Sequence, residues 1–119
     1  MGLNMSIVVY HNPECGTSRN VVEIIQESGV KPIIIEYLKS GWTKPQLLGL
    51  FAAAGITARD ALRTSKSPAE ELGLIDPNVD DESLINAMVK DPILVNRPIV
   101  CSPKGVRLCR PSEAVLEIL

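Results

Sequence analysis

Cys15 is the residue around which chemistry can be built. It stands in the run His11-Asn12-Pro13-Glu14-Cys15-Gly16-Thr17-Ser18-Arg19, where a turn-forming stretch gives way to apolar residues at helical spacing. A thiol at the start of a helix faces unsatisfied backbone N–H groups and the positive end of the helix dipole, and both favour the thiolate. Arg19, one turn on, and His11, just upstream, could add to that effect. Gly16, Thr17, Ser18 and Arg19 then form a loop suited to holding an anion. The plainer alternative is a small buried cysteine next to a helix capped by Thr17 or Ser18. Against it, Cys15 occupies the anion-binding end of the helix and not its apolar face.

Two other thiol chemistries do not fit the spacing. A C-x5-R phosphate loop needs Arg six residues after the cysteine, where this chain has Val21. A dithiol oxidoreductase needs C-x-x-C, where it has Ser18. Cys15 is therefore expected to act as a monothiol nucleophile whose resolving thiol comes from elsewhere. Cys101 and Cys109 fall in the terminal hairpin described below and read as packing residues, because free cysteine is among the most buried residue types. With three cysteines, one histidine and no C-x-x-C pair, neither a disulfide framework nor a metal site is expected.

The elements that must position Cys15 follow from the pattern of apolar residues. Ile7-Val8-Val9-Tyr10 reads as a strand, and Val21, Ile24, Ile25 and Ser28 as a helix stopped by Gly29. Ile33 to Leu38 is apolar enough for a strand buried on both faces, giving a βαβ unit with a parallel central pair. A helical stretch follows. Thr43 caps a helix with Leu47, Leu50, Phe51 and Ala54 inward and Gly55 as its stop, and Thr57 with Asp60 caps a shorter one. Ser67-Pro68-Ala69-Glu70 has the form of a capping box opening another helix. Asp80 begins one with Leu84, Ile85, Met88 and Val89 inward, stopped by Asp91-Pro92. Pro98 to Cys101 and Val106 to Cys109 then form a hairpin about the turn Ser102 to Gly105, before a last helix from about Pro111 with Val115, Leu116 and Leu119 inward. The order βαβ, helices, ββα is that of a thioredoxin-like α/β fold with a helical insertion and a mixed four-stranded sheet.

Composition sets the boundaries. The chain has 119 residues, 45% of them hydrophobic and 22% charged, as expected of a single globular domain. Lys and Arg number 12 against 14 Asp and Glu, a net charge of −2 that disfavours nucleic acid and anionic membranes as partners. Aromatic residues, at 3%, are too few for a base-stacking surface. Without a membrane-length apolar run or a secretory signal, a soluble cytoplasmic protein is expected. Met1-Gly2-Leu3-Asn4-Met5-Ser6 formally matches an N-myristoylation pattern. The simpler reading takes Met5 as the natural start, residues 1–4 as an upstream extension and 5–119 as the domain.

Beyond these readings, the chain resembles a known family. The segment His11 to Arg19, Leu62-Arg63, Pro92-Ile93-Leu94-Val95-Asn96-Arg97-Pro98-Ile99-Val100 and Arg107-Leu108-Cys109-Arg110-Pro111-Ser112-Glu113 are together similar to the motifs of glutaredoxin-coupled arsenate reductases of the thioredoxin fold. The resemblance implies that Cys15 is the nucleophile, that His11 helps to stabilise its thiolate, and that Arg63, Arg97 and Arg110 surround the oxyanion. It also implies a cis bond before Pro98, arsenate as substrate, glutathione as co-substrate, glutaredoxin as protein partner, no bound cofactor and a part in arsenical resistance. Three guanidinium forks suit a ligand carrying nearly two negative charges. Two other functions use the same residues differently: a glutaredoxin-like thiol transferase would need Cys15 without the arginines, and a redox-responsive regulator of the transcription machinery typically carries the C-x-x-C that is missing here.

Overall fold

Val9 and Val100, neither with any exposed surface, lie opposite each other on the two central strands of a four-stranded sheet. The computed structural model describes residues 6–119; Met1 to Met5, with the acylation pattern and the question of the start, lie outside the described residues. The strands are β1 (Val8–His11), β2 (Ile33–Glu36), β3 (Ile99–Ser102) and β4 (Gly105–Leu108), in the order β2-β1-β3-β4. β1 is parallel to β2 and antiparallel to β3, and β3 and β4 form the hairpin. The fold is thus the mixed α/β sheet that the order of elements predicts.

Five α-helices accompany these strands among the described residues: α1 (Gly16–Glu27), α2 (Tyr37–Ser40), α3 (Lys44–Ala54), α4 (Ala58–Ala61) and α5 (Asp81–Lys90). The chain divides into two compact units. The first comprises the described residues up to Tyr37 together with Arg97–Leu119, and the second comprises Leu38–Asn96. In the first unit Ile7, Val9, Val21, Ile25, Val100, Cys109, Val115 and Ile118 make one apolar cluster, joining one face of the sheet to α1 and to a 3₁₀ helix at Ser112–Ile118. Each such aliphatic side chain removed from water contributes about 1.5 to 3 kcal/mol. This cluster holds the end of β1, and hence the start of α1, in place.

The second unit is organised by its helix ends. Thr43 and Thr57 each form a capping box, with Gln46 and Asp60 respectively, and Asp80 caps α5 by accepting from the Ser83 N–H at 2.8 Å. Gly55 ends α3 in the left-handed conformation, φ 68°, which only glycine adopts without strain. Leu62 and Val95 pair as an isolated antiparallel bridge, with Asn96 N–H donating to Ala61 O at 2.7 Å.

Four expectations need correction. β2 is an edge strand, with Ile33 50% and Ile34 41% exposed, so its apolar run does not mark burial on both faces. The central pair is β1 with β3, and it is antiparallel. Ser67 to Glu70 opens no helix: the Ser67 hydroxyl donates to Arg63 O and accepts from the Ala69 N–H two residues on, so the reciprocal bond to Glu70 that defines the box does not form. A single turn follows and ends at Gly73, φ 72°. The last helix is 3₁₀ in form, and three residues per turn bring Ser112, Val115 and Ile118 inward while Leu116 is 59% exposed.

The register also separates the two hairpin cysteines. Cys101 pairs with Val106, and Cys109 N–H donates to Pro98 O just beyond the pairing of Ile99 with Leu108. Alternation along each strand therefore sends the two thiols to opposite faces. Cys109 is fully buried in the apolar cluster and Cys101 is half-buried. Cys109→Ser should destabilise the protein by about 1 to 3 kcal/mol, as expected for a hydroxyl placed among apolar side chains. Cys101→Ser should stay within about 0.5 kcal/mol of the parent. Urea unfolding followed by circular dichroism measures both, and equal losses would contradict the assignment of the two faces.

Candidate active site

Asn12, Pro13 and Glu14 form the turn that delivers Cys15 to the start of α1. Cys15 N–H donates to Asn12 O at 3.0 Å, and Glu14 N–H donates to Asn12 Oδ1 at 3.0 Å, so the Asn12 side chain and backbone together close the loop. Cys15 is itself the N-cap residue, in extended backbone conformation (φ −97°, ψ 122°), and Arg19 N–H begins the helical ladder by donating to Cys15 O. Neither Thr17 nor Ser18 caps the helix. The thiol occupies the place where a Ser or Asp side chain would cap.

Burial acts first on Cys15, which is 7% exposed, and it disfavours the thiolate. Four influences outweigh it and hold the thiol below its ordinary range: the Ser18 backbone N–H, the charge of Arg97, and hydrogen bonding from Arg110 and from Arg97. The Ser18 N–H falls short of strict cap hydrogen-bond geometry, yet three residues into the turn it is the largest of these. Arg110 Nη1 lies 3.9 Å from Cys15 Sγ and donates to Arg97 O at 3.1 Å, which ties the two arginines together. Arg97 is itself buried, and cis bonds precede both Pro98 and Pro111.

His11 and Arg19 both bond to the loop that carries Cys15. His11 Nδ1 is 2.6 Å from Ser18 Oγ, and Asn12 N–H donates to the same oxygen at 3.1 Å. The Ser18 hydroxyl thus bonds both the Asn12 N–H and the His11 ring. Burial, the strongest influence on His11, lowers its pKa; Glu36 opposes this and Arg19 reinforces it. Burial thus disfavours the charged ring, and the ring reaches the loop through its bond to Ser18 Oγ. Arg19 Nη1 donates to Pro13 O at 2.9 Å and braces the turn. Thr17 O accepts from Ser112 Oγ at 3.5 Å. Gly16 begins α1, where an added Cβ would meet nothing closer than Arg19 Nη2 at 3.7 Å, so no steric need for glycine arises there.

Arg63 belongs to the second unit and is 8% exposed. Its N–H donates to Leu94 O at 2.8 Å and its Nε to Ser65 O at 3.0 Å, which fixes the guanidinium plane against its own loop. Sequence reasoning missed Ser112, which reaches the nucleophile loop from 95 residues away and has no local signature. It also missed the use of the Ser18 hydroxyl, although the spacing of seven residues from His11 would have permitted the pair. Among the described residues no group of three His, Cys, Asp or Glu side chains is placed to hold a metal, and no helix is long and apolar enough to cross a membrane.

A thiol held below its ordinary pKa at a helix start, with Arg110 at 3.9 Å and Arg110 bonded to Arg97 O, has the chemistry a nucleophile for anions needs. Comparison with known proteins agrees with the fold. A family model described as the ArsC family matches residues 10–118, and the chain belongs to that family. It is 67% identical over 113 residues to the arsenate reductase ArsI2 of Synechocystis, covering 95% of this chain and 81% of that protein. It is 54% identical over 114 residues to the arsenate reductase of Escherichia coli K12, covering 96% of this chain and 81% of the relative. The solved structure of an arsenate reductase from Vibrio cholerae superposes with a TM-score of 0.91 at 37% identity, covering 97% of this chain and 98% of that one.

The ionisation of Cys15 can be measured directly. Iodoacetamide alkylation of Cys15 should reach half its maximal rate at a pH below that of a free thiol, and Arg110→Gln should move the midpoint upward. Because the folded value is depressed, ionisation of Cys15 adds stability fully above the unfolded thiol pKa, and that gain is lost as pH falls through the folded value. Cys109, whose thiol burial pushes up to about 12, should stay unlabelled at pH 8 until the protein is unfolded. A Cys15 midpoint at or above the free-thiol value would contradict the account of the loop.

Proposed function

We propose that the protein is an arsenate reductase that uses glutathione and glutaredoxin. The observation that carries this reading is the Cys15 thiol, held below its ordinary pKa with Arg110 at 3.9 Å and Arg97 bound to Arg110. The reductases among its relatives support the choice of arsenate as the anion.

In this mechanism the arginines bind the arsenate oxygens, and the Cys15 thiolate attacks arsenic(V). One oxygen leaves with protons as water, giving a Cys15 S–As bond. Arg63, assigned from its motif, is the third cation. A glutathione thiol then attacks. The electron pair of the S–As bond stays with arsenic as Cys15 and glutathione join in a disulfide, so that the two thiols are oxidised by two electrons and arsenic leaves as arsenite. Glutaredoxin reduces the mixed disulfide and restores the Cys15 thiol. Cys15 needs no resolving partner in its own chain for this, which agrees with Cys109 being buried among apolar side chains and Cys101 lying on the other face of the sheet.

NADPH oxidation coupled through glutathione reductase, with glutathione and glutaredoxin present, tests the whole reading by its dependence on arsenate. Cys15→Ser should abolish turnover while leaving the circular dichroism spectrum unchanged. Arg97→Lys and Arg110→Lys should each lower kcat/KM for arsenate by at least about tenfold, or about 1.4 kcal/mol, because an ammonium cannot replace a two-pronged donor. Turnover that persists without arsenate on a glutathione mixed disulfide would make the protein a thiol transferase instead.

A further inference from the structure

The second unit contains an arginine outside the reaction scheme whose two terminal guanidinium nitrogens both bond backbone carbonyls. Arg59, on α4, donates from Nη1 to Leu74 O at 3.3 Å and from Nη2 to Asp76 O at 3.0 Å and Val79 O at 2.7 Å. These carbonyls belong to the segment 68–79, which forms neither helix nor strand and buries only Ala69 and Leu74. Its internal bonds are few: Leu72, Gly73 and Leu74 N–H close one turn, and Asp76 closes another through Asn78 and Val79. A segment with so little core of its own is prone to local opening unless something outside holds it. Arg59 supplies that hold, because a planar fork of fixed geometry can gather several carbonyls where an ammonium cannot.

The same segment runs directly back into Arg63. Ala69 N–H donates to Ser67 Oγ, the Ser67 hydroxyl donates to Arg63 O, and Arg63 Nε donates to Ser65 O, across a turn in which Lys66 has φ 53°. Arg63 is thus oriented by the loop that leaves it, and that loop is the near end of the segment whose far end Arg59 grips. We infer that Arg59 is a positioning residue for Arg63: by clamping Leu74, Asp76 and Val79 it keeps the 65–79 loop folded, and the loop holds the Arg63 guanidinium in one orientation. This rests on the proposed role of Arg63 in arsenate binding.

The test is a double-mutant cycle of Arg59→Ala and Arg63→Ala, with Arg59→Lys as a milder variant that keeps the charge and most of the stem. Each protein is assayed for arsenate KM and kcat in the coupled assay, for arsenate protection of Cys15 against iodoacetamide, and for amide exchange across residues 65–79. Arg59→Ala should raise KM for arsenate about tenfold with kcat within about twofold, speed exchange across 65–79, and leave the Cys15 alkylation midpoint unchanged. Arg59→Lys should fall between Arg59→Ala and the parent. In the Arg63→Ala background the Arg59 substitution should no longer change KM, since the group it positions is gone. A rise in KM of equal size in both backgrounds, or faster exchange with no change in KM or protection, would overturn the inference and leave Arg59 a purely structural residue. If the parent protein is protected by arsenate but does not reduce it, the cycle is read in protection alone, and only the reductase reading fails. An absence of protection in the parent overturns both.

Discussion

A buried thiolate is unfavourable unless its surroundings are arranged to receive it, and the first unit is built around that constraint. Desolvation pushes the Cys15 proton on, while the Ser18 N–H and two guanidiniums pull it off, and the second set prevails. The balance depends on position more than on charge. Arg97 and Arg110 flank the open end of the β3–β4 hairpin, one before β3 and one after β4, and the bond from Arg110 to Arg97 O locks them to each other. Under the proposed function these cations are already in place for the anion, and preorganisation of that kind is where electrostatic catalysis derives its advantage.

The nucleophile loop is braced from three directions, each time by a bond to backbone. Arg19 holds Pro13 O, Ser112 reaches Thr17 O, and Asn12 holds the N–H of Glu14. His11 belongs to this framework. The ring bonded to Ser18 Oγ ties the end of β1 to the first turn of α1, whose Ser18 N–H acts on the sulfur. The family resemblance places His11 beside the thiolate, and the structure connects it to that turn through Ser18. The second unit relies on the same economy of side chain to backbone bonds. Capping boxes open α3 and α4, the Asp80 side chain caps α5, and one arginine holds a segment that has almost no core.

Much of this was legible in the chain. The β-branched runs, the capping pairs at Thr43 and Thr57, the glycine stop at Gly55 and the hairpin about Ser102 to Gly105 are local signals, and each is a short-range hydrogen-bonding or steric preference that acts within a few residues. The place of Cys15 at a helix start was readable for the same reason. Tertiary structure decided what locality could not. Whether Ile33 and Ile34 are buried depends on which strands flank β2, and it has a neighbour on one side only. Whether Ser67 opens a helix depends on the loop from Arg63, whose carbonyl takes the hydroxyl proton while the oxygen accepts from the Ala69 N–H and not from Glu70. The turn of the last helix, hence the exposure of Leu116, follows from its packing on the apolar cluster. The acidity of Cys15 was half visible: the helix end is written locally, whereas Arg97 and Arg110 stand more than 80 residues away and reach the sulfur only because the β1–β3 pairing brings the hairpin to it.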